Sequence, residues 1–230
     1  MQQLTEHGYP EDNFINLIQN DNTTNTIVYT SKEFQPLADT FSDKYSFVGP
    51  SVAVKDNNNT AKSRPLVYIS LGTVLNKNSR FYQNCIEALK NADMDVVMSV
   101  GPQTDIAALG AIPANFVVKP HVDQIKVLQT ADVFVTHCGM NSVNESIYCS
   151  VPMVLFPQHS EEGLVAQRTQ QLGAGMMLRN TKPQTIADAV GQVLRQDTYR
   201  QATAAIAATF RQTGGANAAA SAIEKVINSK

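Results

Sequence analysis

The stretch Val135-Thr136-His137-Cys138-Gly139-Met140-Asn141-Ser142-Val143-Asn144-Glu145-Ser146 joins two apolar runs, ADVFV before it and VPMVLF after it. Its polar residues fall where a buried strand should give way to a helix. The first turn of a helix leaves about four backbone N–H groups unpaired and carries about half a positive charge. Gly139 lets an anion approach that backbone, and the Asn141 and Ser142 side chains can cap the helix or donate to the anion. His137, at the strand end, can donate an imidazole N–H to the same anion, and Met140 opens the helix itself. Glu145 follows one turn later, where its carboxylate can accept hydrogen bonds from a neutral diol such as ribose. Phosphate at a helix start with sugar hydroxyls beside it describes a nucleotide. A capping box with a buried structural histidine accounts for the same residues, and the segment taken alone does not choose between them.

Polar residues recur after the other apolar runs. Leu71-Gly72-Thr73 follows LVYIS, Pro120-His121-Val122-Asp123-Gln124 follows FVVK, and Gln158-His159-Ser160-Glu161-Glu162 comes shortly after PMVLF. In open parallel sheets, ligands bind beyond the carboxyl ends of the strands, where such loops meet. Neither G-x-G-x-x-G after the first strand nor G-x-x-x-x-G-K-[ST] anywhere is present, so the common dinucleotide and P-loop fingerprints are excluded. Cys138 has no neighbouring base and oxyanion hole and is expected to be structural rather than nucleophilic. His159 is expected to be a solvated loop residue.

The elements that must carry these loops alternate in type. Strands are expected at Leu66–Ser70, Asp95–Val100, Phe116–Lys119, Val133–Thr136, Pro152–Phe156 and Gly175–Leu178. Helices are expected at Ser79–Asn91, around Ile125–Leu128, at Asn141–Cys149, Glu162–Leu172, Thr181–Arg195, Asp197–Gln212 and Ala216–Asn228. Near-continuous apolar strands alternating with helices predict an α/β fold, a doubly wound parallel sheet covered on both faces, from about residue 64 onward. The first sixty residues hold one clear strand at Thr26–Thr30 and a short apolar segment at Tyr45–Val48. They carry too little apolar mass for a core of their own and read as the tail of something larger. Residues 55–63 read as an exposed linker.

With 43% hydrophobic and 17% charged residues over 230 positions, the chain can bury a real core, and its net charge of -2 argues against a nucleic-acid surface. No apolar run approaches the roughly 20 residues of a membrane span. MQQLTEHGYPEDNF carries no apolar leader segment. Three widely spaced cysteines suggest a reducing compartment, and a cytoplasmic location is expected.

LVYISLGTV, HVDQIKVLQTADVFVTHCGMNSVNES and VPMVLFPQHSEEGLVAQRTQQLGAG resemble the donor-binding half of the UDP-dependent glycosyltransferases, closest to the bacterial macrolide glycosyltransferases. YTSKEFQPLADTFSDKYSFVGPSV resembles the end of that family's acceptor domain and the interdomain linker. The resemblance implies a GT-B architecture, in which two Rossmann-like domains hold the donor in the cleft between them. Residues 1–63 would then be the remnant of the acceptor domain with its linker, and residues 64–230 the Rossmann-like donor-binding domain. By the same motifs, His121 takes the place of the aromatic residue stacked on uracil, with Val122 backbone groups reading the base edge. Gln124 would approach the ribose or the base, and Glu145 would hold the ribose hydroxyls. His137 and the helix start from Gly139 through Met140, Asn141 and Ser142 would hold the diphosphate, helped by Gly72 and Thr73. Glu161 and Glu162 would contact the transferred sugar.

The chain departs from the family pattern at several of these positions. His121 replaces a Trp or Tyr, Asp123 stands where a Pro is common, Glu162 replaces a Gln and Val165 an Asn. The resemblance further implies a UDP-sugar donor, a hydroxyl acceptor, inversion at the sugar, and no metal. The family's base, a histidine oriented by an acid, lies near the start of the acceptor domain, and His7 does not match it. No catalytic residue is therefore expected in this chain, and His137 faces phosphate. The expectation is a donor-binding half with little or no transfer on its own, arising from truncation, a split gene or a mis-started reading frame. Two alternatives stand beside it. One is a donor subunit completed by a separately encoded acceptor-domain chain, which should expose Phe34, Leu37 and Phe41; self-association through the interdomain face stands beside it. The other is a non-catalytic UDP-sugar-binding protein.

Overall fold

The computed structural model describes residues 24–53 and 62–228. His7 and most of the expected linker at 55–63 lie outside that range.

Two short strands, β1 (Thr26–Val28) and β2 (Tyr45–Phe47), pair in parallel and precede the main sheet. That sheet comprises β3 (Leu66–Ser70), β4 (Asp95–Ser99), β5 (Phe116–Lys119), β6 (Val133–Thr136), β7 (Met153–Leu155) and β8 (Gly175–Met177). The connecting and closing helices are α1 (Ser79–Leu89), α2 (Gln124–Leu128), α3 (Met140–Tyr148), α4 (Ser160–Gln171), α5 (Pro183–Arg195), α6 (Asp197–Gln212) and α7 (Gly215–Asn228). The six strands lie in the order β5-β4-β3-β6-β7-β8, and every neighbouring pair is parallel. This is a Rossmann-like doubly wound α/β sheet, as the alternation of elements predicts. The observed elements fall within a residue or two of the expected ones, apart from small trims such as Pro152 and Phe156 at the ends of β7.

Period-two alternation along the strands builds a core on each face. Val67 and Ile69 of β3, Val133 and Val135 of β6, and Val154 of β7 point into one cluster, with Phe81 and Leu89 of α1 and Ile186 and Val190 of α5. Tyr68, Phe134, Met153 and Leu155 point the other way, toward Val143 and Ile147 of α3 and Phe210 of α6. Tyr68 and Phe134, adjacent across β3 and β6, stack with ring centroids 4.7 Å apart. Apolar burial on both faces accounts for the near-continuous apolar reading of the strands.

The segment before the main sheet is bolted to it. Phe34 is 2% exposed and meets Phe210 of α6 edge-on at 6.1 Å. Asn144 Nδ2 of α3 donates to the Tyr29 carbonyl at 2.9 Å, and Arg168 Nε of α4 donates to the Phe34 carbonyl at 2.7 Å. The expectation that Phe34, Leu37 and Phe41 form an exposed apolar face is therefore corrected. Leu37 is 78% exposed, but Phe34 is core and Phe41 packs its ring on Tyr45 and Phe47. The physical reason is that α3, α4 and α6 present an apolar hollow that this segment fills.

Candidate functional site

β3 and β6 are neighbours at the centre of the sheet, where the strand order reverses direction, and their following loops diverge. A cavity of about 980 Å³ opens there, at the carboxyl ends of the strands. Its lining takes in Gly72 and Thr73 after β3, His121, Val122 and Gln124 after β5, and His137, Gly139, Met140, Asn141, Ser142 and Glu145 after β6. Glu161 and Glu162, at the start of α4, complete it. Every site residue singled out in the sequence thus lines one cavity.

The β6–α3 turn is shaped by backbone that few residues adopt. Cys138 has φ 73, a left-handed conformation that costs a non-glycine residue about 1–2 kcal/mol. Its N–H donates to Thr136 Oγ1 at 3.2 Å, and burial raises its thiol far above the ordinary value. A thiol so placed is inert, as expected for Cys138. The turn delivers Gly139 as the N-cap of α3, with no side-chain hydrogen bond to the cap. The capping-box reading of this helix start is therefore not realised, and its first N–H groups face the cavity unsatisfied by side chains.

The His137 ring lies between two glycines. A Cβ on Gly72, which has φ +75, would come within 2.5 Å of ring atoms, and a Cβ on Gly139 within 2.5 Å of Nε2. Both positions require glycine for close approach, and Gly72 also for its backbone. His137 Nδ1 is buried without a hydrogen-bond partner among the described residues. Burial holds the imidazole pKa below its ordinary value, with the nearby Glu162 charge opposing the shift.

Glu162 is 4% exposed. Its Oε2 accepts the Gln158 backbone N–H at 2.7 Å, while Oε1 lies 2.9 Å from His159 Nε2 and 3.9 Å from His137 Nε2. The carboxylate is thus turned inward at the start of α4, close to the capping role of an acidic residue at that helical position. Glu161 is exposed beside it. His159 is exposed at the cavity edge, as expected of a loop residue, and its Nε2 also lies against the Glu162 carboxylate.

On the opposite wall, Gln124 is held by its neighbours. Its Oε1 accepts from Tyr68 Oη at 3.0 Å, and its Nε2 donates to Glu145 Oε2 at 2.5 Å, with Ser142 Oγ at 3.3 Å. Asp123 caps α2 through Lys126 N at 3.1 Å, which explains an acid where proline is common. His121 is exposed at the rim. Sequence reasoning missed Tyr68, Asn76, Ser99 and Gly101, which also line the cavity. Tyr68 sits in an apolar run and reads as core, and only a buried hydroxyl seeking a partner hints otherwise. Among the described residues, no group of three or more His, Cys, Asp or Glu is placed to hold a metal ion. No helix of the described residues is long and apolar enough to cross a membrane.

A parallel sheet in this order, with a helix start opening on the cavity at its switch point, is the architecture of the C-terminal domains of GT-B glycosyltransferases. The glycosyltransferase of kitacinnamycin superposes with a TM-score of 0.85 at 28% identity, covering 97% of this chain and 59% of that one. The chain belongs to the family described as Erythromycin biosynthesis protein CIII-like, C-terminal domain, whose model matches residues 83–222. The UDP-glucosyltransferase YdhE of Bacillus subtilis (strain 168), itself described as uncharacterized, is 35% identical over 97% of this chain and 58% of its own length. Demethyllactenocin mycarosyltransferase of Streptomyces fradiae is 28% identical over 88% of this chain and 45% of its own. The chain thus spans about half the length of the relatives it matches.

Proposed function

We propose that this chain binds UDP or a UDP-hexose in the cavity at the β3–β6 switch point, as the donor-binding half of an inverting glycosyltransferase acting on a hydroxyl of a small molecule. The observation that carries the reading is the uncapped start of α3, with His137 lodged between Gly72 and Gly139 and Glu145 one turn along the same helix. Helix-start amides and an imidazole donor suit a diphosphate, and a carboxylate beside them suits the ribose. Thr73, Asn141 and Ser142 stand next to the diphosphate on this reading, His121 and Val122 next to the base, and Glu161 next to the transferred sugar. Glu162, with both oxygens engaged, acts by holding His159 and the loop before α4.

On this reading, residues 1–63 are the end of an acceptor domain and its linker, and residues 64–230 are the donor domain. On this reading the donor domain by itself transfers little or no sugar, because the base that deprotonates the acceptor belongs to the acceptor domain. Calorimetry with UDP should show saturable binding. Absence of saturation at millimolar UDP would overturn the reading.

A second reading draws support from the cavity mouth. Val74 and Leu75 are 85% and 50% exposed on the lining, and Leu164, just beyond Glu162 on α4, is 70% exposed. An apolar rim of this kind suits a covering acceptor domain supplied by another chain. Sedimentation with a separately produced acceptor domain tests it: co-migration supports the two-chain enzyme, and independent migration removes it.

A further inference from the structure

Gln124 stands at the centre of a hydrogen-bonded chain beneath the cavity. Tyr68 is 1% exposed, and its hydroxyl donates to Gln124 Oε1 at 3.0 Å. Burial pushes its phenol up to about 12, partly offset by Ser70 and Ser99, so the hydroxyl is a donor throughout the neutral range. A side-chain amide has one accepting and one donating end. With the accepting end held by Tyr68, the donating end must face Glu145, and Nε2 does so at 2.5 Å from Oε2. Glu145 Oε1 has no hydrogen-bond partner among the described residues, and Glu145 lines the cavity.

We propose that Tyr68 is a positioning residue that fixes the Gln124 amide, and through it the Glu145 carboxylate, so that the cavity selects a ribonucleoside diphosphate over its 2′-deoxy counterpart. The inference rests on the nucleotide reading given above. Without the phenolic hydroxyl, Gln124 Oε1 loses its donor and the amide loses its tie to β3. The amide is then held only through Nε2, by Glu145 and Ser142, and the untethered pair of side chains no longer keeps the carboxylate in one position. With Glu145 held in place, the 2′ and 3′ hydroxyls of a ribose can both donate to it, whereas a deoxyribose offers one donor.

Tyr68→Phe removes the hydroxyl and keeps the ring that stacks on Phe134 at 4.7 Å. The test is calorimetry on the full chain with UDP and with 2′-deoxyuridine diphosphate, which share base and diphosphate. The wild-type chain should favour UDP by at least about tenfold, the span expected of a hydrogen bond to a charged group. Tyr68→Phe should reduce that preference to within about threefold, chiefly by weakening UDP. Gln124→Met, which keeps the volume and removes the amide, should do the same and serves if Tyr68→Phe does not fold. A preference retained in a folded variant, or an equal loss for both ligands, overturns the role of Tyr68. Equal binding of both ligands by the wild-type chain overturns the selection while leaving the nucleotide reading intact, and binding of neither sinks that reading itself.

Discussion

Glu162 Oε1 lies 2.9 Å from Nε2 of His159, inside the first turn of α4. The same carboxylate takes the Gln158 backbone N–H at 2.7 Å, so one buried acid secures the loop that leads from β7 into the cavity. Glu162→Ala removes both contacts and leaves the partly buried Gln158 N–H unpaired. It should destabilise the chain by about 1–3 kcal/mol, and Glu162→Gln, which keeps an acceptor, should cost less. Urea unfolding midpoints of the two variants check this; equal midpoints for wild type and Glu162→Ala would contradict it.

His137 gives stability a pH dependence of known sign. Burial depresses its folded-state pKa, with the Glu162 charge opposing. The contribution is therefore fully present above the unfolded value of about 6.5 and is lost as pH falls toward the folded value. Melting temperature should be flat near pH 7 to 8 and drop as pH is lowered toward 5. His137→Asn should flatten part of that drop, and an unchanged slope would show that another group carries it.

The same histidine should matter to phosphate more than to base. His137→Ala should weaken UDP by roughly tenfold or more, the scale of a charge-assisted hydrogen bond, while uridine affinity barely moves. Equal losses for both ligands, measured by calorimetry, would remove His137 from the phosphate contact.

Gly139→Ala separates geometry from fold. The φ of Gly139 is -57, which alanine adopts freely, yet its Cβ would come within 2.5 Å of His137 Nε2. The ring must therefore shift, and UDP affinity should fall about tenfold or more with a melting temperature changed by only a few degrees. Gly72→Ala adds left-handed strain to the same clash and should cost more stability.

Phe34→Ala probes the attachment of the leading segment. Its ring is 2% exposed against Phe210, so truncation should cost about 3–5 kcal/mol. A loss below 1 kcal/mol would mean that residues 24–53 add little to the stability of the sheet that follows.

The sheet was legible because its strands alternate faces. Val67, Tyr68 and Ile69 are all apolar, yet they feed opposite cores, and that continuous run signals a strand covered on both sides. The cavity was legible because loop polarity follows strand ends, as at His121 and His137. Partnerships that depend on three dimensions were not. Nothing in LVYIS shows that the Tyr68 hydroxyl reaches Gln124, 56 residues away. The register that pairs Thr26 with Tyr45 lies across a loop, and the burial of Phe34 depends on α6, whose Phe210 comes far later in the chain. His159 is exposed, as its loop position suggests, but its contact with Glu162 exists only because that carboxylate turns inward at the start of α4.

The strand order β5-β4-β3-β6-β7-β8 has a consequence for how this surface can change. α1 leaves β3 toward one layer and α3 leaves β6 toward the other, so the gap between them is propped open by packing on both sides of the sheet. Swapping residues along its walls alters what fits without letting the walls collapse, which makes the opening a durable socket and its chemistry an interchangeable insert.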